Sequence, residues 1–201
     1  MGDNIKIREG PGFPVNPAFT YAMTNYFNRW NEAYSFFQAT FIGHRMCYEY
    51  SVNNSVKIVE ISMSKRNFAH ICGIHYAYGA QNFVRDLQGH HISEKNVLFA
   101  ERKEIVEYKS QAMENLKSLI SPGVRITDSG HFLNLCFDHA LRSQKDLLAL
   151  TLTNGNPGIY IPNSLINLHY SKSNSKSLKH SYEVHSVFSI SNRTHSKYVY
   201  F

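Results

Sequence analysis

Residues 17–41 carry the strongest constraint in this chain. Phe19, Met23, Phe27, Trp30, Tyr34, Phe37 and Phe41 recur at steps of three or four, which places them on one face of an α-helix. Asn16 followed by Pro17 supplies an N-cap and a first-turn proline, so the pattern predicts a helix over 17–41. So broad an aromatic stripe requires an apolar partner, which makes this a core or docking helix; a groove for an RNA base or a partner is the sharper alternative. The rest of the chain can supply a core. It has 201 residues, 43% hydrophobic and 18% charged, with 13 Tyr and 13 Phe, which excludes wholesale disorder.

No apolar run approaches the ~20 residues of a membrane span, so no membrane association is expected. The opening MGDNIKIREGPG lacks the apolar core of a signal peptide. Cys47, Cys72 and Cys136 cannot make a disulfide framework and fit a reducing, cytoplasmic setting. Residues 1–16, with Gly10, Pro11, Gly12 and Pro14, read as a flexible N-terminal arm, and 17–201 as a single domain.

A hairpin is expected next. Residues 44–52 and 55–63 are rich in β-branched and aromatic types and flank the turn pair Asn53-Asn54. A short helix should start at a cap on Asn67 and end at Gly73; another should run from about 80 to 88 and end at Gly89. A longer helical stretch, broken at most once, is expected from Glu94 to Ile120. Strands are expected at 131–137, 146–153, from 159 and at 182–190, with a turn at 154–158. This order predicts an α+β fold, with helices packed on a twisted antiparallel sheet of about four strands beside the N-terminal aromatic helix and hairpin.

The net charge of +6 is unevenly spread. Residues 142–201 hold seven Lys/Arg against two Asp/Glu, whereas residues 1–141 hold 14 against 13. That bias suits a polyanionic partner, and is also what an ordinary solvated face looks like.

Three patterns carry possible chemistry. Cys72-Gly73-Ile74-His75 and Cys136-Phe137-Asp138-His139 are C-x-x-H pairs that could in principle form a Cys₂His₂ zinc site, but apolar neighbours make both cysteines look like small core residues. No metal or cofactor is expected. Arg142, Ser143 and Lys145 combine a guanidinium fork, a hydroxyl and a point charge, which suits a phosphate, although polar turns often look the same. His70 can exchange a proton near neutral pH, or can simply serve as a structural helix-end histidine. Walker A, GxGxxG, HExxH and GxSxG patterns are all absent from the sequence.

Three segments in this order resemble a known family. Asn67-Phe68-Ala69-His70-Ile71-Cys72-Gly73-Ile74-His75-Tyr76 is followed by Phe137-Asp138-His139-Ala140-Leu141-Arg142-Ser143-Gln144-Lys145, an apolar strand and Tyr160-Ile161-Pro162-Asn163-Ser164. Together they are similar to the phage-associated branch of the barnase–EndoU–colicin–RelE-like (BECR) nucleases, over about residues 48–190. The resemblance implies helices on one face of a four-stranded antiparallel sheet and metal-independent endoribonuclease activity in a toxin or an anti-phage or mobile-element effector. It implies an RNA substrate and a neutralising antitoxin, of protein or RNA, as partners. It assigns catalysis to His70 as base or acid, Arg142 and Lys145 as cations, Ser143 as a phosphate-positioning hydroxyl and Tyr160 as a base-orienting ring. Asp146, next to Lys145, departs from the pattern and can pair with that lysine. The competing reading is a non-catalytic RNA- or protein-binding domain that uses the Trp30–Phe37 face. A transferase toxin is a third reading, but no nucleotide-binding motif supports it.

Overall fold

The computed structural model describes residues 17–99, 103–132, 135–143, 148–168, 178 and 180–201. Helix α1 is Pro17–Phe41, as the aromatic spacing predicts. It leads into strand β1 (His44–Val52), which turns through Asn53 and Asn54, both at positive φ, into β2 (Ser55–Ser62). Helix α2 (Lys65–Cys72) follows. Its cap is Ser64 rather than Asn67: the Ser64 N–H and Oγ both donate to Asn67 Oδ1, at 2.8 and 2.7 Å, from the helix's third position.

Gly73 ends α2 at φ 76°, and a Cβ there would lie 3.1 Å from the Lys109 side chain, so both conformation and space require glycine. Then come β3 (Ile74–Tyr76), α3 (Ala80–Gln88), β4 (Val97–Phe99) and α4 (Lys103–Met113). The stretch from 94 to 120, expected to be helical with at most one break, is thus divided further. Val97–Phe99 pairs with β3, and a 3₁₀ turn at Leu116–Ile120 closes the segment. The remaining strands are β5 (Arg125–Thr127), β6 (Gly130–Phe132), β7 (Leu135–Phe137), β8 (His139–Arg142), β9 (Leu148–Asn156), β10 (Ile159–Asn167), β11 (Ser181–Ser191) and β12 (Lys197–Val199).

The main sheet overturns the expected architecture of helices on an open four-stranded sheet. Its order is β1-β2-β10-β9-β8-β5-β11, and β11 pairs back onto β1, so seven strands close into a barrel. The described residues are mostly β with four α-helices. Closure depends on β11, which reaches further than its neighbours. Ser181–Glu183 pairs with β5, and Val184–Ser191 pairs with β1. The short strands β5 and β8, of three and four residues, are too brief to show an alternating pattern in the sequence, yet they complete the ring. Every pairing in the ring is antiparallel except β2–β10, where Glu60 and Ile61 meet Ile159 and Tyr160 in parallel. Irregularities at Glu49/Tyr50 and Pro162/Ser164 supply the local twist that closure needs.

Helix α1 feeds β1, α2 leaves β2, and the 3₁₀ turn after α4 feeds β5, so these connections gather at one end of the barrel. Helix α2 packs on α3 and β10, and α4 packs on α1 and β10. One apolar cluster runs through both layers. It joins Trp30, Tyr34, Phe37, Phe68 and Phe83 of the helices to Met46, Tyr48, Ile61, Leu150 and Leu165 inside the barrel. Phe68 sits at its centre, with ring centroids 4.9 Å from Tyr34 and 5.2 Å from Phe37. Arg29 adds polar ties from α1 to Glu107 at 3.2 Å and Glu114 at 2.7 Å. Among the described residues, no helix is long and apolar enough to cross a membrane.

Phe68 is fully buried, so Phe68→Ala is expected to cost about 3–5 kcal/mol. Urea unfolding checks this, with the loss appearing as a lower midpoint at unchanged slope.

Candidate active site

Opposite these helical connections lies the other end of the barrel. Strands β1, β5 and β9 finish there, while β2, β8, β10 and β11 begin there. Side chains on one face of a strand recur at every second residue, and the register shows which of them face inward. Tyr50 is opposite Lys57, in line with buried Tyr48 and Val59. His139 is opposite Leu152, and Leu152 is opposite Pro162. Tyr160 is opposite Asn154. Tyr182 is opposite Ile126, and Asp128 lies two residues beyond Ile126. Tyr50, Lys57, Asp128, His139, Asn154, Tyr160 and Tyr182 therefore gather on the inner face of one mouth.

Direct contacts link Tyr50, Tyr182 and Asp128, and separately His139 and Tyr160. The Tyr182 hydroxyl donates to Asp128 Oδ2 at 2.9 Å. The Tyr50 and Tyr182 rings lie 5.7 Å apart. The His139 imidazole meets the Tyr160 ring edge-on at 4.8 Å and 79°. His139 Nδ1 is 2.9 Å from the Thr127 carbonyl oxygen. A carbonyl can only accept, so Nδ1 carries the proton and Nε2 is the basic nitrogen of the neutral ring. Tyrosine and backbone together hold the imidazole in one orientation.

The electrostatics favour neutral phenols at the mouth. Burial raises the Tyr50 phenol above its ordinary range, and Asp128, Tyr160 and Tyr182 add to the effect. The Tyr182 phenol is raised chiefly by its hydrogen bond to Asp128. One step further in, Tyr48 is fully buried, and that burial raises its phenol. Lys57 is exposed, and among the described residues it makes no ion pair.

The residues expected to form the site are dispersed. Tyr160 is in the mouth. Arg142 is opposite Ala149 on the outer face, near the other end of β8, where Nη1 donates to the Leu178 carbonyl at 3.0 Å. Ser143 is buried, and its Oγ accepts the Leu148 N–H at 3.0 Å, so it supports the β8–β9 connection. His70 is exposed in the last turn of α2, on the helical side. Lys145 lies outside the described residues, as does its neighbour Asp146.

The zinc pattern is dispersed too. Cys72 is buried 3.9 Å from Met113 Sδ, and Cys136 is exposed on β7. Among the described residues, no three His, Cys, Asp or Glu converge as a metal site. Sequence reasoning noted His139 within a C-x-x-H pair and at an unassigned position of the family motif, without a catalytic role, and passed over Tyr50, Lys57, Asp128, Asn154 and Tyr182 as site residues. A signal was present for two of them. Tyr50 and Lys57 are equidistant from the Asn53-Asn54 turn, which makes them a cross-strand pair in a two-residue hairpin.

Residues 31–197 match the family model described as phage-Barnase-EndoU-ColicinE5/D-RelE like nuclease4. The chain belongs to this nuclease family. The match begins within α1, so it takes in part of the aromatic helix that the sequence motifs alone had left outside. No curated protein and no solved structure matches the chain. For this BECR-like nuclease, a mouth with an imidazole, an ammonium and three phenols is the strongest candidate for the chemistry.

Asp128→Asn removes the charge that holds the Tyr182 proton, so the Tyr182 phenol should titrate at lower pH than in the wild type. Absorbance titration of the phenolate, with Tyr182→Phe as the reference, checks this. The linkage has a definite sign. A phenol raised in the folded state contributes stability that is present below the ordinary tyrosine pKa of about 10 and fades as pH rises through the folded value. The Asp128→Asn protein should lack that contribution.

Proposed function

We propose that the protein is a metal-independent endoribonuclease whose active site is the barrel mouth. The observation that carries this reading is His139, whose Nδ1 proton is held by the Thr127 carbonyl, leaving Nε2 as the base. Cleavage of RNA without a metal uses the ribose 2′-OH as nucleophile on the adjacent phosphate. His139 Nε2 takes the 2′-OH proton as the new P–O bond forms. The bond to the 5′-oxygen then breaks, and that oxygen must receive a proton. A neutral phenol at the mouth, Tyr160 or Tyr50, can donate it or hydrogen-bond to the developing oxyanion. The Lys57 ammonium offsets charge on the phosphorane. The aromatic rings also provide faces on which an unpaired base can stack.

The phage association of the family and the excess positive charge of residues 142–201 support a role as a toxin or an anti-phage or mobile-element effector, acting on RNA and restrained by an antitoxin.

His139→Ala is expected to lower RNA cleavage by about 10²–10⁴-fold, while His70→Ala stays close to wild type. The wild-type product should carry a 2′,3′-cyclic phosphate and form equally well in a chelator. Ends bearing a 5′-phosphate, or loss of cleavage in His70→Ala but not His139→Ala, would refute the scheme. RNA binding without any cleavage would instead favour a non-catalytic module.

A further inference from the structure

Among the described residues, the barrel leaves part of one strand edge unpaired beside the proposed site. Strand β2 pairs with β1 along its whole length, but it meets β10 only at Glu60 and Ile61. Among the described residues, no strand pairs with the other edge of Ser55–Ile58. Backbone N–H and C=O groups of alternate residues face outward along that edge, which is a template for a further strand. The side chains are unusual for a water-facing edge. Val56 is 64% exposed and Ile58 49%, both on the outer face, with Lys57 between them on the inner face.

We propose that Ser55–Ile58 accepts an extended strand from a protein partner. The strand carries an acidic residue set against Lys57, flanked by apolar residues set against Val56 and Ile58. Charge and register select this occupant. RNA offers no alternating amide donors and acceptors, and it gains little from Val56 or Ile58. A second copy of this chain fits badly. The antiparallel register that matches Val56 with Ile58 of the other copy sets Lys57 directly opposite Lys57, where like charges repel. An acidic side chain reverses that interaction.

The consequence for activity rests on the role given to Lys57 above. A carboxylate on Lys57 takes the place assigned there to the RNA phosphate, so docking inhibits cleavage.

The probe is a short synthetic peptide of alternating Val and Asp with blocked ends. Amide hydrogen exchange is followed by NMR on the whole protein without RNA. The expected result is exchange at the edge of Ser55–Ile58 slowed on the order of tenfold, with RNA cleavage falling in parallel. A peptide with Lys in place of Asp, and one N-methylated along one edge, should give no protection. The double variant V56K/I58K should cleave RNA normally and lose both protection and inhibition.

No protection by the Val/Asp peptide, equal protection by either control, or concentration-dependent protection in the protein alone would overturn the proposal. Protection without any cleavage to inhibit would uphold the docking edge and reject the nuclease reading of Lys57, so the two failures are distinguishable.

Discussion

The reach of β11 is the constraint on which the rest of the structure depends. One strand of 11 residues pairs with β5 at its start, with β1 along the remainder and with β12 near its end. Without the β11–β1 pairing, the other strands would form an open sheet with two bare edges. Closure converts those edges into a ring, and the ring needs something to fill it. Met46, Tyr48, Ile61, Leu150 and Leu165 do so from inside, and the aromatic face of α1 and α2 continues the same cluster beyond the barrel. The α1 stripe and the closed sheet are therefore two halves of one burial problem.

Closure also gives the two ends of the barrel different roles. Helical connections gather at one end. At the other, inward positions just above the buried core are filled by side chains with a polar tip. Tyrosine suits that boundary because its ring packs below while its hydroxyl reaches a partner above. Tyr182 finds Asp128, and Tyr50 packs beside Tyr182. The same boundary orients His139 between the Thr127 carbonyl and the Tyr160 ring. A histidine in open solvent, such as His70, has no such constraint on its tautomer.

Local features were legible in the sequence because local physics determines them. The 3.6-residue period marked α1, the Asn53-Asn54 turn marked the first hairpin, and glycines at 73 and 89 marked helix ends. Ring closure was not legible, since it depends on β11 meeting strands far away in the chain and on strands as short as β5. The site suffered for the same reason. Arg142, Ser143 and Lys145 are adjacent in sequence, but alternation along β8 turns Arg142 outward, and Ser143 is consumed in a backbone contact. The mouth collects single residues from separate strands, with no two adjacent in the chain. Tyr160 was the one member recognised beforehand, and it was recognised from a family motif rather than from its neighbours.

The proposed site for RNA is the barrel mouth. The most direct measurement is the NMR shift pattern on adding an oligonucleotide that carries a 2′-deoxy sugar at the scissile position, so that it binds but cannot react. The largest changes should fall on His139, Tyr160, Tyr182, Tyr50 and Lys57, and those at His70 and Arg142 should be small. A pattern centred on His70 and Arg142, with the mouth unmoved, would contradict the account.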